Sequence, residues 1–136
     1  MAVKTYKGSC HCGKVKFEAD IDLAAGSGRC NCTFCTKIRN WGVFIKPDSL
    51  RVISGEDEMI GYKQKDETPS VHTFCKTCGV RTFERGFLEP LGGDYVAIQL
   101  SSLDDVSIEE LMSGTIRYSD GRNNNWMNSP VDTRNL

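Results

Sequence analysis

Seven cysteines in three tight clusters constrain this chain more than any other feature. They stand as Cys10-His11-Cys12, Cys30-Asn31-Cys32-Thr33-Phe34-Cys35 and Cys75-Lys76-Thr77-Cys78. Sulfurs this close along a backbone suit a shared metal ion better than disulfides. Tetrahedral zinc, with Zn–S near 2.3 Å, holds its sulfurs roughly 3.8 Å apart. A disulfide needs about 2.0 Å and a dihedral that so short a ring strains. An odd count also leaves one cysteine over in any bridged framework. The first ten residues hold no apolar run of the signal-peptide kind, and no stretch reaches the ~18 apolar residues of a membrane span. A cytoplasmic location is therefore expected, where thiols stay reduced and cysteine clusters hold metals.

Ligand counting divides seven thiolates into four plus three. A closed four-sulfur site is structural and contributes folding energy, whereas three sulfurs leave a fourth position for water or substrate. Joining whole clusters puts Cys10 and Cys12 with Cys75 and Cys78, leaving Cys30, Cys32 and Cys35 as a self-contained triple. Spacing alone also allows Cys10 and Cys12 to join part of the triple. Residues two apart on a strand face the same way, so Cys10 and Cys12 can present both sulfurs to one ion, and on a strand His11 would face away from it. Gly79 directly after Cys78 supplies the flexible exit of a tight turn.

With 136 residues the chain is expected to form one domain, residues 1–136, with a mostly irregular tail from about residue 119. Its 17 basic and 18 acidic side chains give a net charge of −1. That balance lacks the basic face by which proteins hold nucleic acid. Short apolar–polar runs between turn residues predict strands over residues 4–8, 14–19, 41–46, 50–54, 58–63, 71–74, 80–84 and 94–99. Ser107-Ile-Glu-Glu110 has the spacing of a capping box and opens a short helix that Gly114 ends. A second helical turn is expected over residues 33–39, with loops over 64–70 and 86–93. The polar tail is expected on the surface, with Trp126 as its anchor and Asn123–Asn125 in a turn.

Lys7-Gly-Ser-Cys-His-Cys-Gly-Lys-Val-Lys-Phe17, Cys30-Asn-Cys-Thr-Phe-Cys35, Phe74-Cys-Lys-Thr-Cys-Gly79 and Ser102-Leu-Asp-Asp105 occur in the order seen in one family. Over about residues 5–115 the chain resembles the glutathione-dependent formaldehyde-activating enzymes. The resemblance implies a mainly β fold of small packed antiparallel sheets with zinc sites and one or two short helices. Methionine-R-sulfoxide reductases and a Rab exchange-accessory protein have folds similar to that one. Two zinc ions per chain are implied, a structural one on Cys10, Cys12, Cys75 and Cys78 and a catalytic, more labile one on Cys30, Cys32 and Cys35. The implied activity is carbon–sulfur lyase chemistry, in which S-hydroxymethylglutathione is formed or cleaved with glutathione as co-substrate. A metal-bound thiol is deprotonated, and a thiolate is the form that attacks a carbonyl carbon.

Near the triple, Lys37 and Arg39 are candidate partners for a glutathione carboxylate, and Arg29 is a third cation. His72 is a candidate proton shuttle, and Trp41 a candidate pocket wall or core residue. Two other functions compete: a non-enzymatic zinc module that binds a protein partner, and a thiol redox protein. Cys35, a third cysteine beyond what a redox pair needs, favours the metal enzyme.

Overall fold

Residues 2–64 and 71–136 are described by the computed structural model. Their strands follow the order β1 (Lys4–Ser9), β2 (Lys16–Ile21), β3 (Ser27–Cys30), β4 (Gly42–Ile45), β5 (Leu50–Ser54), β6 (Met59–Tyr62), β7 (His72–Cys75), β8 (Phe83–Leu88), β9 (Gly93–Gln99) and β10 (Ile116–Ser119). Helix α1 (Thr33–Ile38) follows β3, and α2 (Ile108–Leu111) follows β9.

Alternation builds the first sheet. Strand β2 turns Phe17, Ala19 and Ile21 inward and Lys16, Glu18 and Asp20 outward. It lies between β1 and β5, antiparallel to both. Its inner row meets the second sheet, ordered β10-β3-β4-β9-β8, where Phe17 and Phe83 pack edge to face at 5.5 Å. Val96, Ile98 and Leu100 complete this core. Strands β6 and β7 form a separate antiparallel pair.

The mainly β expectation stands, with corrections to the strands and their pairing. Strand β10 runs parallel to β3, so the second sheet is mixed. Neither of these two strands was expected from the sequence. Ser27-Gly-Arg-Cys30 has no apolar alternation, and its pairing with a strand 89 residues onward forms it. Strand β8 also runs on through Phe87 and Leu88, into the expected loop over 86–93. The capping box is present in full: Ser107 Oγ accepts the Glu110 N–H, and the Glu110 carboxylate accepts the Ser107 N–H, both at 3.0 Å. The loop expected over 64–70 falls outside the described residues from position 65 on. Among the described residues no helix is long and apolar enough to cross a membrane.

Candidate metal centres

Strands β1 and β7 run out into two turns of the same construction. The Cys10 N–H donates to the Val15 carbonyl and the Cys75 N–H to the Val80 carbonyl, each at 3.0 Å. Gly13 and Gly79 close the turns by donating to the carbonyls of Cys10 and Cys75, with φ of +83° and +77°. Only glycine holds that backbone without strain. Cys10 and Cys12 do not present their sulfurs from a strand. Strand β1 ends at Ser9, and a turn converges the sulfurs, leaving His11 exposed at its tip.

Cys10, Cys12, Cys75 and Cys78 gather with their sulfurs within 4.8 Å of one another. Cys10 and Cys12 sulfurs are 3.6 Å apart, and those of Cys12 and Cys75 are 3.7 Å apart. These separations match four ligands around one small tetrahedral ion and exclude a bridge. Backbone donors favour the thiolates of Cys78 and Cys75. N–H groups of Cys12 and Val80 hold the Cys78 thiol down to about 6, and those of Cys78 and Thr77 lower that of Cys75.

Cys30, Cys32 and Cys35 form a second group within the same 4.8 Å limit. Cys30 ends β3, Cys32 is the N-cap of α1, and Cys35 lies in its first turn. The Cys32 N–H donates to the Cys30 sulfur and the Cys35 N–H to the Cys32 sulfur, each at 3.3 Å. The neighbouring thiols of Cys30 and Cys35, with backbone N–H groups of Cys35 and Phe34, strongly favour a Cys32 thiolate. The thiols of Cys30 and Cys32, together with burial, push the Cys35 thiol up. Three sulfurs so close cannot all ionise unless a cation lies among them, so the donor set fits a metal.

A polar clamp fixes this group. Asn31, between the first two cysteines, donates its amide to Asp120 at 2.8 Å. Arg122 donates its backbone N–H to the Asn31 side-chain oxygen and its Nε to the Asn31 carbonyl, both at 3.0 Å. A Cβ built at Gly121 would lie 2.3 Å from the Trp126 ring and 2.8 Å from the Cys30 sulfur. Half-exposed Trp126 thus leans over Gly121 beside the triple. Asn124 holds the turn in the left-handed region, φ 54°. Sequence reasoning missed Asn31, Asp120, Gly121 and Arg122. Only the place of Asn31 between two cysteines gave a signal.

Arg29 and Arg39 flank a small cavity that Cys30, Cys35 and Thr36 also line. Arg39 is the left-handed C-cap of α1, which turns it back toward Cys35. Burial, then the charge of Arg39, lowers the Arg29 pKa, and its guanidinium lies 5.0 Å from the Trp41 ring. Trp41 itself donates to Ser27 Oγ at 2.8 Å. Lys37 sits exposed on the last turn of α1, away from this cavity. His72 stacks on Phe34 at 4.1 Å, and its Nδ1 lies 2.8 Å from the buried Glu84, which also pairs with Arg81.

The family model described as glutathione-dependent formaldehyde-activating enzyme matches residues 5–118. A crystal structure of a Rhodobacter sphaeroides protein is similar to this chain, with a TM-score of 0.65 and 28% identity. That similarity covers 82% of this chain and 99% of the other.

Proposed function

Because the chain belongs to the family of glutathione-dependent formaldehyde-activating enzymes, we propose that it is a carbon–sulfur lyase acting on a thiol–aldehyde adduct. Its reactive group is Cys30, Cys32 and Cys35, and glutathione with formaldehyde is the leading substrate pair. The observation that carries this reading is a three-sulfur group standing apart from a complete four-sulfur group. In the reading, Cys10, Cys12, Cys75 and Cys78 hold a structural zinc and the triple holds a second. A zinc ion held by these three sulfurs would leave room for a substrate thiol, lower that thiol's pKa and supply Lewis acidity.

In condensation the thiolate sulfur attacks the aldehyde carbon, the carbon–sulfur bond forms, and the thiol proton ends on the former carbonyl oxygen. Cleavage reverses each step. Three cysteine thiolates and a substrate thiolate would outweigh the charge of one dication held there, and Arg29 and Arg39, beside Cys30 and Cys35, would offset the excess. Arg39 and, further out, Lys37 are the cations we assign to a glutathione carboxylate. Half-exposed Trp126 stands on the Cys30 side of the group, over Gly121.

Zinc per chain, measured on reduced protein with and without glutathione and a mild chelator, tests the reading. About two zinc ions are expected, one of them labile and responsive to glutathione. Exchange between formaldehyde, glutathione and their adduct, followed by NMR, should accelerate with the parent and not with Cys35→Ser. One tightly held zinc that ignores glutathione would overturn the assignment.

A further inference from the structure

Leu136 and the Asn135 carbonyl bring the end of the 132–136 segment to the cavity beside the three-sulfur group. Leu136 lines it with Arg29, Cys30, Cys35 and Arg39, and Arg39 Nη1 donates to the Asn135 carbonyl at 2.5 Å. Among the described residues, the other hydrogen bonds of this segment stay within it: Leu136 N–H to the Thr133 carbonyl, and Arg134 to Asp132. A single bond to Arg39 therefore ties the segment down.

The cavity itself asks for an anion. Neither Arg29 nor Arg39 has a carboxylate partner among the described residues; Arg29 lies against the Trp41 ring and Arg39 donates to the Asn135 carbonyl. A carbonyl gives a guanidinium one neutral acceptor, whereas a carboxylate gives a charge-assisted, bidentate one roughly twice as strong. A ligand carrying both a peptide main chain and a carboxylate would therefore outcompete the segment.

We propose that this cavity is the subsite for the main chain and carboxylate of a peptide thiol, and that Asn135 and Leu136 occupy it as an internal competitor that the substrate displaces. The proposal rests on reading the three-sulfur group as a thiol site. While the segment is docked, apparent affinity falls by the fraction of molecules that are open.

S-methylglutathione separates this subsite from the chemistry, because it keeps the peptide and carboxylates but cannot supply a thiolate. Its binding is measured by calorimetry on the zinc-loaded full chain, on a variant ending at Asp132, and on Arg29→Gln, each first shown to melt cooperatively. The shortened variant should bind about tenfold more tightly, the worth of roughly one such hydrogen bond. Arg29→Gln, which keeps the anchor on Arg39, should bind about tenfold more weakly. The peptide Asp-Thr-Arg-Asn-Leu, added to the shortened variant, should compete. Unchanged affinity on shortening, or no binding by any form, overturns the proposal. If the shortened variant binds more tightly yet no form exchanges formaldehyde, the subsite stands and the lyase reading fails.

Discussion

Asn31 gives its side-chain amide to the buried carboxylate of Asp120 at 2.8 Å, tying the polar tail to the residue between two cysteines of the three-sulfur group. Asp120 also accepts from Asn123, and the Asn123 and Asn31 amides hold its carboxyl below the usual carboxylate range. Arg122 and Thr36 fasten the Asn31 carbonyl from the other side. Partners of this kind orient ligands they do not themselves replace. Asp120→Ala should lower zinc affinity at the triple by about 10–100-fold and leave the four-sulfur site filled. A chelator competition titration checks this; equal affinity at both sites would show that the clamp does not orient the ligands.

Gly121 carries a second constraint. Any side chain there meets both the Trp126 ring and the Cys30 sulfur. Gly121→Ala should therefore push Trp126 off and shift Cys30, with a red-shifted indole emission and about tenfold weaker zinc at the triple. Trp41, bonded to Ser27, provides an unchanged background. Parent-like emission together with parent-like zinc affinity would contradict the contact.

The two cysteine groups should fail differently. Cys75 is buried between the paired turns, with its sulfur 3.7 Å from that of Cys12. Cys75→Ser should abolish the cooperative melt, because structural zinc supplies folding free energy. Cys35→Ser should keep a cooperative melt and lose one zinc together with the exchange reaction. Thermal melts paired with metal analysis decide it. A soluble Cys75→Ser protein of unchanged melting temperature would remove the structural role.

What could be read in the sequence is what short range determines. Cysteine spacing marks the ligand clusters, alternation marks β2, and a hydroxyl three residues before a carboxylate marks the start of α2. Long-range partners leave no such mark. Strands β3 and β10 have four residues each and exist through one another, and Asn31 meets Asp120 across 89 positions. Lys37 and Arg39 look equivalent in sequence, yet two steps along a helix turn them to opposite sides. The left-handed cap at Arg39 then turns only that one toward Cys35. Backbone handedness thus separates two cations that composition treats alike.

Acid should act on the fold through Glu110 as well as through the metal sites. Its carboxylate accepts from Lys4 at 2.8 Å, Tyr6 at 2.7 Å and the Ser107 N–H, which hold its pKa down to about 2. The same contact, after burial, pushes the Tyr6 hydroxyl up to about 12. A carboxyl whose folded pKa lies below its unfolded value near 4.3 contributes stability that is complete above that value. The contribution fades as pH falls through the folded pKa. Glu110→Gln removes it at every pH. The melting temperature of the variant should therefore lie below that of the parent at pH 6, and the gap should close between about pH 4 and pH 2. Zinc lost in acid is lost from both proteins, so the difference isolates Glu110. A gap that stays constant down to pH 2 would place the stabilising contact elsewhere.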